Sequence, residues 1–229
     1  MNIPVSLFNW FAKITGWPVQ FLCFRTSVVF EDRSVQGRRI KGPAIIVSNH
    51  TSVYDYAVWL FVFASRTLRV PMAEILFEKQ PLALFLKMMG GIKIDRNAHS
   101  IEGVAKCEEI LRDGGVVLMF PEGRLPRKGE ERPLGFRPGA AALALSTGAK
   151  IIPVYTDGSY FRKSRARTAV GIPFYASEAA DPALPMSENL KAVSSMMRSR
   201  VVAAGELLSE GGGDGNKKGV MTDKNGDAK

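Results

Sequence analysis

With 229 residues, 46% of them hydrophobic, the chain is long enough for one domain around a buried core. No uninterrupted apolar run reaches the length of a membrane-spanning helix. A net charge of +9 and a pI near 9.7 suggest a polyanionic partner; without helix-turn-helix, zinc-finger or aromatic–basic RNA signatures, that points to an anionic membrane surface rather than nucleic acid.

The chain opens on two short apolar stretches, residues 3–12 and 17–24, around Lys13 and Gly16-Trp17-Pro18. Neither a charged leader nor a small-residue cleavage site marks a signal peptide. Each stretch is too short to cross a bilayer, and Gly16 with Pro18 predicts a break between them. Trp10, Trp17 and four phenylalanines beside Lys13 and Arg25 predict a helical hairpin lying in the membrane interface. The alternative is a pair of helices that simply cover the sheet.

Beyond Arg25 the elements alternate. Strands are predicted over 26–30 and 44–47, joined by a polar, glycine-containing stretch. A helix follows over 52–65, with Thr51 or Ser52 as its N-cap, then a short strand over 67–71. Residues 73–89 read as an apolar helix interrupted by Pro81, and 92–95 as a strand. Apolar residues at Ile101, Val104, Ala105, Ile110 and Leu111, with charges between, predict an amphipathic helix over 99–112 that ends at Gly114-Gly115. Residues 116–120 are a buried strand, 138–147 an alanine-rich helix closed by Gly148, 151–155 and 168–175 strands, and 187–208 a long helix. This order predicts an α/β fold: a mixed, mostly parallel sheet flanked by helices, preceded by the interfacial hairpin. Three segments follow: the hairpin over 1–24, the main domain over 25–209, and a glycine-rich polar tail over 210–229 that should be disordered. Cys23 and Cys107 are too few for a disulfide framework, and no Cys–His cluster suggests a metal. This cysteine usage predicts a reducing, cytoplasmic setting.

Histidine is scarce: the chain has two, His50 and His99. His50 sits at the mouth of the strand over 44–47, five positions before Asp55. A carboxylate on one imidazole nitrogen fixes the tautomer and leaves the other nitrogen as a base near neutral pH. The plainer alternative is a loop histidine beside a helix-capping aspartate. Apolar strands ending in polar residues deliver those residues to one sheet edge. His50 leaves one strand, Asp95-Arg96 another, and Glu122-Gly123-Arg124 a third. Together they offer a base, a carboxylate and several cations. No Gly-x-Ser-x-Gly elbow is present to supply a serine nucleophile.

Four blocks occur in order: Asn49-His50-Thr51-Ser52-Val53-Tyr54-Asp55, Gly91-Ile92-Lys93-Ile94-Asp95-Arg96, Phe120-Pro121-Glu122-Gly123-Arg124 and Ile151-Ile152-Pro153-Val154. Over roughly residues 24–175 this pattern resembles the glycerolipid acyltransferase family, typified by 1-acylglycerol-3-phosphate acyltransferase. The resemblance implies transfer of a fatty acyl chain from a thioester to the free hydroxyl of a lysophospholipid. The expected acceptor is 1-acylglycerol-3-phosphate and the expected product phosphatidic acid. Acyl-coenzyme A or acyl carrier protein is the implied co-substrate, with no other cofactor. His50 is then the base and Asp55 its orienting partner. Gly91, Arg96, Glu122 and Gly123 match blocks that form the acceptor site, the arginine gripping phosphate. The third block departs from the pattern: Arg124-Leu125-Pro126-Arg127 stands where the family usually has Thr-Arg. Either Arg124 or Arg127 then serves the phosphate. The departure keeps another lysophospholipid, or a lyso-aminolipid, open as acceptor, and a non-catalytic membrane-binding protein of the same fold is the alternative of a different class. Basic residues at Arg127, Lys128 and Arg132, and at Arg162, Lys163, Arg165 and Arg167, read as contacts to anionic head groups or coenzyme A phosphates, or as a solvated face. The expected location is the cytoplasmic face of a membrane.

Overall fold

The structure, a computed structural model, describes residues 3–94, 101–161 and 165–210. Its strands are β1 (Ser27–Phe30), β2 (Ala44–Ser48), β3 (Leu68–Ala73), β4 (Gly91–Ile94), β5 (Val116–Met119), β6 (Lys150–Thr156) and β7 (Arg167–Val170). They form one sheet in the order β1-β7-β6-β2-β5-β3-β4. From β6 to β4 all neighbours are parallel, whereas β7 runs antiparallel to β6 and pairs in parallel with β1. The chain thus adopts the expected mixed, mostly parallel α/β sheet.

The central strand β2 shows why. Ala44, Ile45, Ile46 and Val47 are fully buried. Ala44 and Ile46 enter one core layer with Trp59 and Val62 of α2 (Asp55–Val62) and with Phe63. Ile45 and Val47 enter the other, with Leu111 of α4 (Ile101–Arg112), Leu143 of α5 (Gly139–Thr147) and Met197 of α6 (Met186–Glu210). A strand covered on both faces needs an unbroken apolar run, and β2 supplies it.

The predicted N-terminal hairpin is corrected. Residues 3–19 form one helix, α1 (Ile3–Val19), continued without a reversal by a π-helical turn (Gln20–Phe24). Pro18 stays inside the helix, and the wider turn just after it absorbs the disturbance that a missing N–H introduces. Gly16 lies against Phe61, where an added Cβ would come within 3.1 Å of the ring. Its role is close helix packing, not a break. Among the described residues no helix is long and apolar enough to cross a membrane.

Three further boundaries differ. The helix predicted over 52–65 begins only at Asp55, because residues 51–54 wrap around the Asp55 carboxylate instead of forming a first helical turn. The segment over 73–89 divides into a 3₁₀ turn (Glu74–Phe77) and α3 (Leu82–Met89), with Pro81 at the helix start. The last strand stops at Val170, and Phe174 returns as a lone bridge to Ile151; Gly171 and Pro173 interrupt the ladder between them. The tail beyond Glu210 lies outside the described residues.

Candidate active site

The C-terminal ends of β2, β5 and β6 share one sheet edge. There Asn49 pins β2 to β6: its Nδ2 donates to the Thr156 carbonyl at 2.8 Å, and its Oδ1 accepts from the Thr156 N–H at 2.9 Å. Ser48 Oγ accepts from Trp59 Nε1 at 2.9 Å, which locks α2 onto the strand end. His50 therefore leaves a fixed point.

The His50 Nδ1 lies 2.9 Å from Asp55 Oδ2. That oxygen also accepts from the backbone N–H groups of Thr51 and Ser52, at 2.6 and 2.9 Å. The other oxygen, Oδ1, accepts from Thr51 Oγ1 at 2.8 Å and from the Tyr160 hydroxyl at 2.7 Å. Asp55 is fully buried, whereas the His50 side chain is 20% exposed. With acceptor oxygens on the Nδ1 side, the ring carries its proton there and leaves Nε2 as the basic nitrogen. Phe120 stacks on the imidazole at 4.3 Å between ring centres and fixes its plane. The positive φ of Gly158 is matched by contact: a Cβ there would lie 2.5 Å from Thr51 Oγ1, inside the loop that carries both Thr51 and His50.

His50 stands on the wall of a cavity of about 890 Å³. The remaining wall is mostly apolar, with Met72, Leu86 and Met89 on one side and Met119, Ala140 and Leu143 on the other. Cys107 also lines it, but burial pushes its thiol up to about 12, so it is not a thiolate nucleophile near neutral pH. Among the described residues no group of His, Cys, Asp and Glu gathers as a metal site would.

The third block folds differently from its sequence reading. Glu122 is buried and clasps the backbone: Oε1 accepts the His50 N–H at 2.7 Å, and Oε2 the Leu134 N–H at 3.0 Å. Burial raises its carboxyl above the usual range, opposed by those two amides. It braces the histidine loop and does not line the cavity. Arg124 is held away by a two-pronged pair with Glu130, at 2.7 and 2.8 Å, which holds the Glu130 carboxyl down at about 2. Arg127 is exposed, and its N–H caps the same carboxylate at 2.6 Å. The cation that reaches the cavity wall is Arg137, for which no ion pair is formed among the described residues. Gly123, at φ +71°, also lines the cavity, and a Cβ there would lie 2.7 Å from Arg137 Nε. The glycine makes room for the guanidinium. Gly91 is a packing residue, since its Cβ would meet the Leu86 carbonyl at 2.9 Å. Arg96, with Asp95, lies outside the described residues; Ile94, just before them, lines the cavity.

Tyr160 and Arg137 were not found from the sequence. Tyr160 joins Asp55 across 105 positions, a contact that only the pairing of β2 with β6 creates. Arg137 carried one local signal, as the basic residue just before the alanine-rich helix.

A histidine–aspartate pair on a parallel sheet edge, opening on an apolar cavity with a cation in its wall, can take a proton from a hydroxyl bound beside an apolar chain. The family model described as Acyltransferase matches residues 25–157, more than half of the chain, and the chain belongs to that family. It is 28% identical over 159 residues to the 1-acyl-sn-glycerol-3-phosphate acyltransferase beta of Homo sapiens, covering 68% of this chain and 56% of that protein. It is 30% identical over 138 residues to the 1-acyl-sn-glycerol-3-phosphate acyltransferase of Borreliella burgdorferi, covering 54% of this chain and 50% of that protein. The aligned region is about half the length of these curated relatives. The fold is shared with the crystal structure of the 1-acyl-sn-glycerophosphate acyltransferase PlsC from Thermotoga maritima, at a TM-score of 0.60 and 18% identity, over 90% of this chain and 80% of that one.

Proposed function

We propose that the protein transfers a fatty acyl chain from a thioester to the free hydroxyl of 1-acylglycerol-3-phosphate, giving phosphatidic acid. The observation that carries this is the His50–Asp55 pair set in the wall of a deep apolar cavity. His50 Nε2 takes the proton of the acceptor hydroxyl as its oxygen attacks the thioester carbonyl. Asp55, held by four donors besides the imidazole, stabilises the imidazolium through Nδ1–H. Collapse of the tetrahedral intermediate expels the thiolate of the donor, which takes the proton back from His50. The fatty chain lies in the apolar cavity, and Arg137 meets the acceptor phosphate at the wall. The donor is acyl-coenzyme A or acyl carrier protein. The work is done at the cytoplasmic face of a membrane, on which the apolar face of α1 rests.

The withdrawal of Arg124 to Glu130 favours keeping a second acceptor in view, another lysophospholipid or a lyso-aminolipid. Purified protein incubated with labelled acyl donor and a panel of lysolipids, products resolved by mass, tests both. Phosphatidic acid should dominate. His50→Ala should lower turnover by about 10²–10⁴ while the fold is kept. No product from any lysolipid would leave a membrane-binding protein without turnover.

A further inference from the structure

A second cavity, of about 480 Å³, shares no lining residue with the first. It lies where the N-terminal helix ends, beside α2 and β1. Three arginines line it, Arg25, Arg38 and Arg165, and no carboxylate does. Gln20 and Thr26 line it as well. Arg25 holds a left-handed backbone, φ 47°, as the cap of the π-helical turn, its N–H donating to the Gln20 carbonyl at 3.1 Å.

The rest of the wall is apolar. Trp17, Phe21 and Leu22 line it and are more than half exposed, and they continue the apolar stripe of α1. A cationic recess entered from an apolar, aromatic surface fits a ligand with an anionic head and an oily body. We propose that this cavity binds the phosphate head group of an anionic membrane phospholipid. The guanidiniums of Arg38 and Arg165 hold the phosphate, and the glycerol and upper acyl chain lie along Trp17, Phe21 and Leu22. The site is separate from the one that holds the reacting lipid. It rests on the reading that α1 docks on a bilayer.

The test uses the full-length protein with phosphatidylcholine vesicles, with and without phosphatidylglycerol. The Arg38→Ala/Arg165→Ala double variant should lose roughly fivefold or more per arginine in its preference for anionic vesicles. The charge-matched double variant Lys41→Ala/Lys191→Ala, outside the cavity lining, should lose far less. Turnover of a short-chain, non-aggregated lysolipid should not change in either. Dioctanoyl phosphatidylglycerol should raise the melting temperature of the wild type, and should raise it less in the arginine double variant. Equal losses in the arginine and lysine pairs would replace the site with a diffuse positive field and overturn the proposal. So would equal protection by inorganic phosphate. Binding to neutral vesicles reads the docking of α1 alone, so failure of that reading is seen separately.

Discussion

Asp55 receives five hydrogen bonds on two oxygens, and only one comes from the histidine it serves. The remaining four fix the carboxylate, so the imidazole is oriented by a group that cannot itself turn. The pair was legible in the sequence because five residues of spacing is a local property. What surrounds it was not, because Tyr160 and Arg137 arrive through strand order. Arg124 shows the opposite failure: its position in the block suggested a phosphate ligand, but the nearby Glu130 captures it. The two arginines therefore separate cleanly. Arg137→Ala should raise the KM for the lysolipid roughly ten- to a hundredfold, the cost of losing a charged hydrogen bond, and leave the donor KM nearly unchanged. Arg124→Ala should leave both near wild type, because it breaks only an exposed pair. Steady-state kinetics with each substrate varied in turn decides it, and a donor KM that rises in Arg137→Ala would move that arginine to the thioester's side.

At the scale of the element, α1 is amphipathic with its apolar face outward. Leu7, Trp10, Phe11, Ile14 and Trp17 follow helical spacing and are exposed. The buried face carries polar anchors. Asn9 Nδ2 donates to the Met89 carbonyl at 3.0 Å, and Lys13 Nζ donates to the carbonyls of Ala64 and Arg66 at 3.0 and 2.7 Å. Apolar content and the Gly16 and Pro18 breakers predict two helices. The role of Lys13, which satisfies carbonyls in the turns just after α2, has no local sequence signal. Burial pushes the Lys13 ammonium down to about 8 from an ordinary 10.5. The sign of its effect follows. Between pH 8 and 10.5 the unfolded chain binds more protons at this residue than the folded one, so Lys13 makes stability rise with pH across that window. Cys107, raised by burial, acts in the opposite direction above its ordinary value, so the comparison must be a difference. Melting temperatures of wild type minus Lys13→Met should climb from pH 8 upward. A flat difference would mean that the ammonium keeps its ordinary affinity for protons and is not desolvated by the helix contact.

Across the whole molecule, the exposed stripe of α1 and the mouth of the larger cavity form one surface. Phe8 meets Phe85 edge-on at 6.2 Å, and Phe85 lines the cavity while remaining half exposed. Val53, Tyr54 and Leu82 do the same at its rim. An acyl chain passing from a bilayer into the cavity would cross apolar side chains throughout, with His50 at the wall where its carbonyl arrives. Composition carries the expectation that this surface meets a membrane: net charge suggests an anionic surface, and the N-terminal aromatics suggest interfacial contact. The continuity between stripe and cavity was invisible, because it depends on α1 packing against α3, elements far apart in the chain. The two attractions should respond differently to salt. Charge contacts are screened within about 8–10 Å at moderate ionic strength, whereas apolar burial is not. Wild-type protein on anionic vesicles should therefore be released only in part by a high-salt wash. The Trp10→Ser/Phe11→Ser/Trp17→Ser variant should be released to a much larger extent, since the largest exposed aromatics of α1 are gone and electrostatics carry more of its hold. These side chains are exposed, so the variant should keep the wild-type melting temperature within a few degrees. Sedimentation of vesicles before and after the wash measures both, and full release of the wild type by salt alone would make α1 a cover for the fold and not its anchor.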